Sequence, residues 1–200
     1  MKKLVAAAMA LVISVGAMAS NDNVEGKDTY KVNTEKSVIK WIGTKVTGKH
    51  YGKVEVKEGS FAVNGEEILS GKVHADMTSI TCEDLEGEYA DKLVGHLKSD
   101  DFFGVEKFPE ATFEVVSFKG MEANTSGKLI GKLTIKGHTE NIEVPVDYTV
   151  GNGVLAIKGE VKFDRTKFDI KYGSASFIDG LGDKAINDEV KFSFALIANK

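Results

Sequence analysis

The sequence predicts an all-β protein, an antiparallel β-barrel of eight strands with one amphipathic helix inserted. Three observations carry this reading. Apolar and polar residues alternate with period two in eight separate stretches. The links between the stretches are short and rich in turn residues. One segment alone switches to a helical period. Strands with one dry and one wet face are typical of antiparallel sheets, and eight such strands can close on themselves. A sandwich is the competing arrangement.

In chain order, "SVIKWIGTKV" sets Ile39 and Trp41 against Lys40 and Thr44. "KVEVKEGSFAV" puts Val54 and Val56 inward and, after a bulge expected at Gly59, Phe61 and Val63. "LSGKVHADM" aligns Leu69, Val73, Ala75 and Met77 on one face. "ATFEVVSF" supplies Phe113, and "GKLIGKLTIK" supplies Leu129, Leu133 and Ile135. "NIEVPVDYTV" contributes Ile142, Val144, Val146, Tyr148 and Val150. "VLAIKGEVKF" contributes Leu155, Ile157, Val161 and Phe163, and "EVKFSFAL" contributes Val190, Phe192, Phe194 and Leu196. "TYKV", residues 29–32, is a candidate ninth strand. "NGEE", "KGHTEN" and "GNG" carry turn chemistry.

In "TCEDLEGEYADKLVGHLK", Leu85, Tyr89, Leu93 and Leu97 recur every four residues. This spacing predicts an amphipathic helix over about 82–98, with Thr81 as its N-cap. Alternation is lost again over 174–187, which reads as a short helix or loop. The outward faces are rich in Lys and Glu, which excludes a membrane barrel, whose outer face is apolar.

The N-terminus reads as a secretory signal peptide over residues 1–19. Lys2 and Lys3 precede the short apolar run "LVAAAMALVISVGA", and Ala17–Met18–Ala19 is a small-x-small site that places cleavage before Ser20. The run is too short for a membrane span. Residues 20–28 are expected to be a flexible mature N-terminus and 29–200 a single domain, located in the periplasm. Cleavage leaves 24 basic against 30 acidic side chains. Lysines interleave with glutamates and form no basic patch, so nucleic acid is not an expected partner. The single cysteine, Cys82, excludes an internal disulfide, and the fold must stand on its apolar core. A homodimer is left open.

Catalytic motifs are missing from the sequence. It contains no G-x-S-x-G, no G-x-G-x-x-G, no P-loop spacing and no His or Cys pattern for a metal. No enzyme activity, metal or cofactor is expected. The stretch "HLKSDDFFGVEKFPEATF" places Asp100 and Asp101 side by side, but adjacent extended residues point apart, which is wrong for a converging carboxylate pair. Those two are expected to end the helix and cap the next turn, with Phe102 or Phe103 turning inward at the barrel mouth. His74 and His138 read as surface residues. His50, His96 and Arg165 are candidates for contacts to a polar head group. His50 and His96 meet only if the helix covers the mouth, and Arg165 has as its alternative an ion pair with an acidic neighbour.

Several stretches together resemble one family. "SVIKWIGTKVTGKHYGKVEV", "HLKSDDFFGVEKFPEATF", "GKLTIKGHTENIEVPV", "FDRTKFDIKYG" and "DEVKFSFALIA" follow, in order, the motifs of the YceI-like proteins, over about Thr29 to Ala198. Asp169 departs from the pattern, because the family often has glycine there. The resemblance implies an exported, lipocalin-like barrel. Some members bind polyisoprenoids such as the tail of a polyprenyl quinone, some bind other long-chain amphiphiles, and many are known only as stress-responsive periplasmic proteins.

The expected function is therefore a periplasmic binding protein that holds a long apolar chain, a polyprenyl quinone or a fatty amphiphile, as carrier or sequestering agent. The alternatives are a filled barrel with no ligand and an enzyme acting on a lipid. The expected ligand-binding side chains are Ile39, Trp41, Phe61, Val73, Met77, Phe113, Leu133, Ile135, Val146, Tyr148, Ile157, Val161, Phe163, Phe168, Phe192 and Phe194, with Phe102 and Phe103 at the mouth.

Overall fold

Nine strand segments and one α-helix build the structure, a computed structural model that describes residues 26–121 and 125–200. The signal segment and its cleavage point lie outside the described residues. The strands are β1 (Asp28–Val32), β2 (Val38–Lys45), β3 (Gly48–Asn64), β4 (Glu67–Asp76), β5 (Glu110–Gly120), β6 (Ser126–Ile135), β7 (His138–Gly151), β8 (Val154–Asp164) and β9 (Glu189–Asn199). The helix α1 (Gly87–Lys98) falls between β4 and β5. All pairings are antiparallel. The circuit β3–β2–β9–β8–β7–β6–β5–β4 returns to β3, so the sheet is a closed barrel of eight staves.

The ninth segment adds no stave. β1 and β2 share one position, each between β3 and β9. β1 pairs at one end (Tyr30↔Phe61, Val32↔Ala198) and β2 at the other (Trp41↔Gly52, Trp41↔Phe192). A 3-10 turn at Thr34–Lys36 interrupts them, capped by the Asn33 side chain, which accepts from the Lys36 N–H at 3.1 Å.

Two bulges correct the expected parity. The extra residue in β3 is Lys57, not Gly59, because the register jumps between Val56↔Ala75 and Glu58↔His74. In β4 the jump between Ala62↔Ser70 and Val63↔Ile68 leaves Leu69 unpaired. Ile68, rather than Leu69, is therefore the buried side chain at that end.

The helix starts at Gly87, not near residue 82. Residues 81–84 are already committed to the sheet. Thr81 N–H donates to Lys53 O (3.0 Å) and Glu83 N–H to Tyr51 O (2.8 Å), which continues the line of β4 along β3. Thr81 is not an N-cap; Glu86 holds that position and makes no side-chain cap. Only the last turns of α1 pack inward. Leu97 is buried, Leu93 and Val94 are half-buried, and Tyr89 stands in solvent. Residues 174–187 form turns with a short 3-10 segment at Gly182–Lys184.

The apolar interior has two parts. Near the turns at 65–66 and 152–153, Tyr30, Val63, Ile68, Val146, Tyr148, Leu155 and Ile157 fill one end of the barrel. At the other end, here called the mouth, Trp41, Ile80, Leu97, Phe102, Phe103, Phe168 and Ile170 fill the space under α1 and the β8–β9 connection.

Candidate functional site: an apolar cavity beneath a braced mouth

Between the two packed ends lies a cavity of about 110 Å³. Of the side chains expected to meet a ligand, Ile39, Phe61, Val73, Met77, Phe113, Leu133, Ile135, Val161, Phe163, Phe192 and Phe194 line it. Val146, Tyr148 and Ile157 instead fill the closed end. Trp41, Phe102, Phe103 and Phe168 pack in the mouth above the cavity. Sequence reasoning left out Ala75, Ala111, Thr112, Leu129, Ile142, Val144 and Leu196, which also line it. All but Thr112 carry the signal that found the others, inward parity on a strand. Thr112, between the inward Ala111 and Phe113, has outward parity and pairs with His74 and Thr134, so its hydroxyl belongs to the outer face.

The cavity stays open because its rings lie against the wall. A Cβ at Gly159 would lie 2.8 Å from Cζ of Phe194, its cross-strand partner, and one at Gly131 would lie 2.7 Å from Cζ of Phe113. Phe61 rests in the same way on its partner Gly71. Glycine on one stave lets the neighbouring ring fold flat, as in aromatic rescue of strand glycines, and the barrel axis is left free.

The mouth is closed by the stretch that follows α1. Phe102 and Phe103 are both buried, with ring centroids 5.2 Å apart. Phe103 N–H donates to Leu97 O (3.1 Å), and Gly104 N–H to Ser99 O (2.8 Å). Asp100 and Asp101 are exposed on this turn, and Asp100 pairs with Lys107 at 2.6 Å. Ser99, rather than either aspartate, caps the C-terminus of α1.

Arg165 lies beneath Phe102, its guanidinium carbon 5.8 Å from the ring centroid, and it is buried. Nε donates to Asn187 O (3.1 Å). One terminal nitrogen donates to Ile170 O (2.7 Å) and Tyr172 O (2.8 Å), and the other to Ile186 O and Asp188 Oδ1 (both 3.1 Å). A guanidinium has five N–H donors, and all five are spent. Burial pushes its pKa down, and Asp188 and Asp164 oppose that shift. Arg165 therefore has no donor left for a head group. It is the lock of the β8–β9 connection, the ion-pair role weighed for it as the alternative.

Asp169 completes that turn in the left-handed conformation, φ 57°, with Lys171 at 2.8 Å from its carboxylate. The left-handed region suits glycine, which gives the physical reason for glycine in the motif this chain departs from.

The two candidate histidines have separate partners and do not form a pair. His50 Nδ1 lies 2.8 Å from Asp84 Oδ2. Asp84 also accepts from Tyr51 N–H (2.8 Å) and the Cys82 thiol (3.4 Å). Burial alone would raise the Asp84 carboxyl; the bonds from Tyr51, His50 and Cys82 outweigh it and hold the pKa below the usual carboxylate value. His96 packs edge-on against Tyr172 (4.3 Å) and Phe102 (5.8 Å). His74 is half-buried against Glu110 at 2.8 Å, and His138 is exposed. Among the described residues no cluster of three His, Cys, Asp or Glu is placed to hold a metal, and no helix is long and apolar enough to cross a membrane.

Comparison with known proteins gives consistent matches. The family model described as the YceI-like domain matches residues 30–198. A UPF0312 protein of Vibrio parahaemolyticus is 28% identical over 184 residues, 86% of this chain and 89% of that one. Matches to UPF0312 proteins of Staphylococcus aureus span at most 56% of those proteins. The crystal structure of BcnA from Burkholderia cenocepacia has a TM-score of 0.65 at 22% identity, covering 84% of this chain and 99% of BcnA. A domain of Saccharophagus degradans described as polyisoprenoid binding, implicated in plant cell wall breakdown, has a TM-score of 0.62 at 12% identity. It covers 85% of this chain and 97% of that domain. At these identities the structural likenesses establish the fold.

Proposed function

Because the chain belongs to the YceI-like family, we propose that its barrel binds a long, thin, apolar molecule, an isoprenoid or another lipid-like amphiphile, and carries or sequesters it in the periplasm. The observation that carries this reading is the cavity on the barrel axis, walled by aliphatic and aromatic side chains. The polyisoprenoid-binding description of the Saccharophagus degradans domain supports the ligand class.

The physics of such a site is burial without turnover. Each CH₂ removed from water contributes about 0.8 kcal/mol, before ordering and association costs reduce the sum. Apolar walls do not distinguish similar tails, so selectivity rests on cavity length and on the groups at the mouth. The proposed role needs no catalysis.

One observation favours a second reading. The cavity of about 110 Å³ is smaller than the roughly 300–1,000 Å³ of ligand pockets. A long chain enters only if the mouth side chains move, Phe102 and Phe103 among them. If they do not move, the protein is a filled barrel that binds no ligand.

Native mass spectrometry of the mature protein purified from its own host's periplasm, followed by solvent extraction, tests the two. A discrete added mass identified as a long apolar molecule is the expected result, and the same spectrum reads the oligomeric state. A bare protein mass, unchanged after incubation with polyprenyl quinones and fatty amphiphiles, would refute the carrier reading.

A further inference from the structure

The segment that plugs the mouth makes nearly all its hydrogen bonds with itself. Residues 85–108 comprise α1 and the turns that follow it. Ser99 N–H donates to Gly95 O and His96 O (both 3.1 Å), Phe103 N–H to Leu97 O (3.1 Å), Val105 N–H to Lys98 O (3.0 Å) and Phe108 N–H to Gly104 O (2.9 Å). Among the described residues no backbone hydrogen bond joins this segment to a strand or to the β8–β9 connection. The segment is held down by apolar contact instead, through the buried Leu97, Phe102, Phe103 and Val105. A unit bonded in this way can move whole and keep its own ladder. The barrel staves cannot, because each is paired on both sides.

Both ends of the segment leave the wall on the same side of the mouth. The first end is fixed to β3 by the bonds of Thr81 and Glu83 described above, and Trp41 Nε1–H donates to Thr81 O at 3.0 Å. The second end is fixed beside β4. Met77 N–H donates to Pro109 O at 2.9 Å, and the Glu110 carboxylate takes both Lys57 and His74. Met77 and Thr81 are four residues apart, so the segment is a flap with a narrow neck. The neck carries Gly87 at φ 58°, and Glu86 makes no side-chain cap there. Residues at the ends of elements are where hinges absorb dihedral change.

A single polar side chain holds the far edge. Lys136 Nζ donates to Asp100 O at 2.9 Å and to Asp169 O at 3.2 Å, which ties the flap to the β6–β7 turn and to the turn after β8. Among the described residues this is the one hydrogen bond the segment receives from outside. Lysine is an unfavourable choice at this position. Lys136 and Gly137 form the two-residue turn between Ile135 and His138, with φ of 51° and 76°. Such a turn favours Asn-Gly, and a left-handed lysine is strained. Strained residues persist where the surroundings hold them, and this side chain is held by carbonyls of two separate loops.

We propose that residues 85–108 are a lid, hinged at its neck beside β3 and β4 and latched by Lys136, that lifts off the mouth as one unit to pass an apolar guest. Phe102 and Phe103 then move together, because both ride on the lid. The proposal rests on the binding role proposed above for the guest, but not for the lifting.

The test reads the opening in delipidated protein. Ala111, which lines the cavity, is replaced by Cys in a Cys82→Ser background, where the serine hydroxyl can still donate to Asp84. Ala75→Cys, at its cross-strand partner, is the second probe if the first does not fold. Alkylation by iodoacetamide is followed at increasing urea. The expected result is labelling at least about tenfold slower than in an unfolded control, with a urea dependence well below the slope of global unfolding. Lys136→Asn keeps a favourable turn and removes the latch. It should leave the urea midpoint equal or higher and speed labelling about fivefold or more. A side chain that served only stability would lower the midpoint and speed labelling together. Labelling that follows the full slope of global unfolding, or that ignores Lys136→Asn, overturns the proposal. So does labelling as fast as the unfolded control, which would mean that the mouth stands open. Loading of a polyprenyl quinone, followed by native mass spectrometry, separates the two ideas. Lys136→Asn should raise the rate of loading and leave the final amount unchanged. A lid that opens on a protein that takes up no guest keeps the lid and loses the carrier role. Loading at a rate indifferent to Lys136→Asn keeps the carrier role and loses the lid as its entry.

Discussion

Ala75 and Ala111 face each other across β4 and β5, and both line the cavity. Replacing Ala111 by Leu puts three more carbons into that space. At about 24 cal/mol per Å³ of cavity, 110 Å³ corresponds to about 2.6 kcal/mol of forgone packing. Three buried carbons at about 0.8 kcal/mol each give a matching figure of about 2.4 kcal/mol. That is the ceiling for the gain, and imperfect rotamers take back part of it, so Ala111→Leu should stabilise the delipidated protein by about 1–2 kcal/mol. The same carbons occupy the volume a guest needs, so loading of a polyprenyl quinone, read by native mass spectrometry, should fall at least about tenfold. Ala75→Leu should behave alike. The two together exceed the space and should be less stable than the sum of the single effects by about 1–3 kcal/mol. Equilibrium urea unfolding with an unchanged slope measures the stability. The reasoning fails if Ala111→Leu destabilises by more than about 1 kcal/mol while loading is undiminished. The guest would then lie elsewhere, and the cavity would be only a packing gap.

Three further outcomes are expected. Arg165→Met removes the donors from four carbonyls and Asp188, which should cost about 3–5 kcal/mol and open residues 170–188 first to limited proteolysis; a loss below about 1 kcal/mol would show that the network does not hold the loop. The pKa of Asp84 is lower in the folded than in the unfolded chain, so its contribution is complete above the unfolded value near pH 4 and is lost as pH falls through the folded value; Asp84→Asn should flatten that acid limb of the stability profile, and an unchanged limb would mean other carboxylates set it. Asp169→Gly relieves a left-handed residue at the cost of an exposed pair with Lys171, and should raise stability by up to about 1 kcal/mol, seen as a melting temperature higher by roughly 2–4 °C.

How much of the fold was legible depends on which interactions are local. Period-two alternation is a property of neighbouring residues, so it located every stave and most inward side chains. A bulge resets parity by one residue, and its position is decided by the partner strand. Lys57 and the Leu69 neighbourhood were therefore misplaced although Gly59 offered the better local signal. The early part of the helical pattern failed for the same reason. Leu85 and Tyr89 have helical spacing with Leu93 and Leu97, but the N–H groups of Thr81 and Glu83 are taken by β3, and the helix cannot begin until that ladder ends. Likewise β1 and β2 each read as a strand on its own, and only pairing with the same two neighbours makes them one stave.

The site shows a sharper limit. Parity says which way a side chain points and nothing about how far along the axis it sits. Tyr148, Ile157 and Phe163 were indistinguishable in the sequence, yet the first two fill the closed end while Phe163 faces the cavity. Open volume depends on a second fact that parity leaves out, the size of the residue opposite. Phe194 beside Gly159 and Phe61 beside Gly71 fold onto the wall, whereas the same rings opposite a branched side chain would project across the axis and close it. The glycines that look like strand-breaking defects are thus what separates a barrel with room from a filled one. Gly71→Ala should push Phe61 inward and close the cavity from the wall side, which makes it the complement of filling the cavity at Ala111. If both variants abolish loading and neither unfolds the protein, the axial space is where the guest lies, because the two changes share nothing but that space.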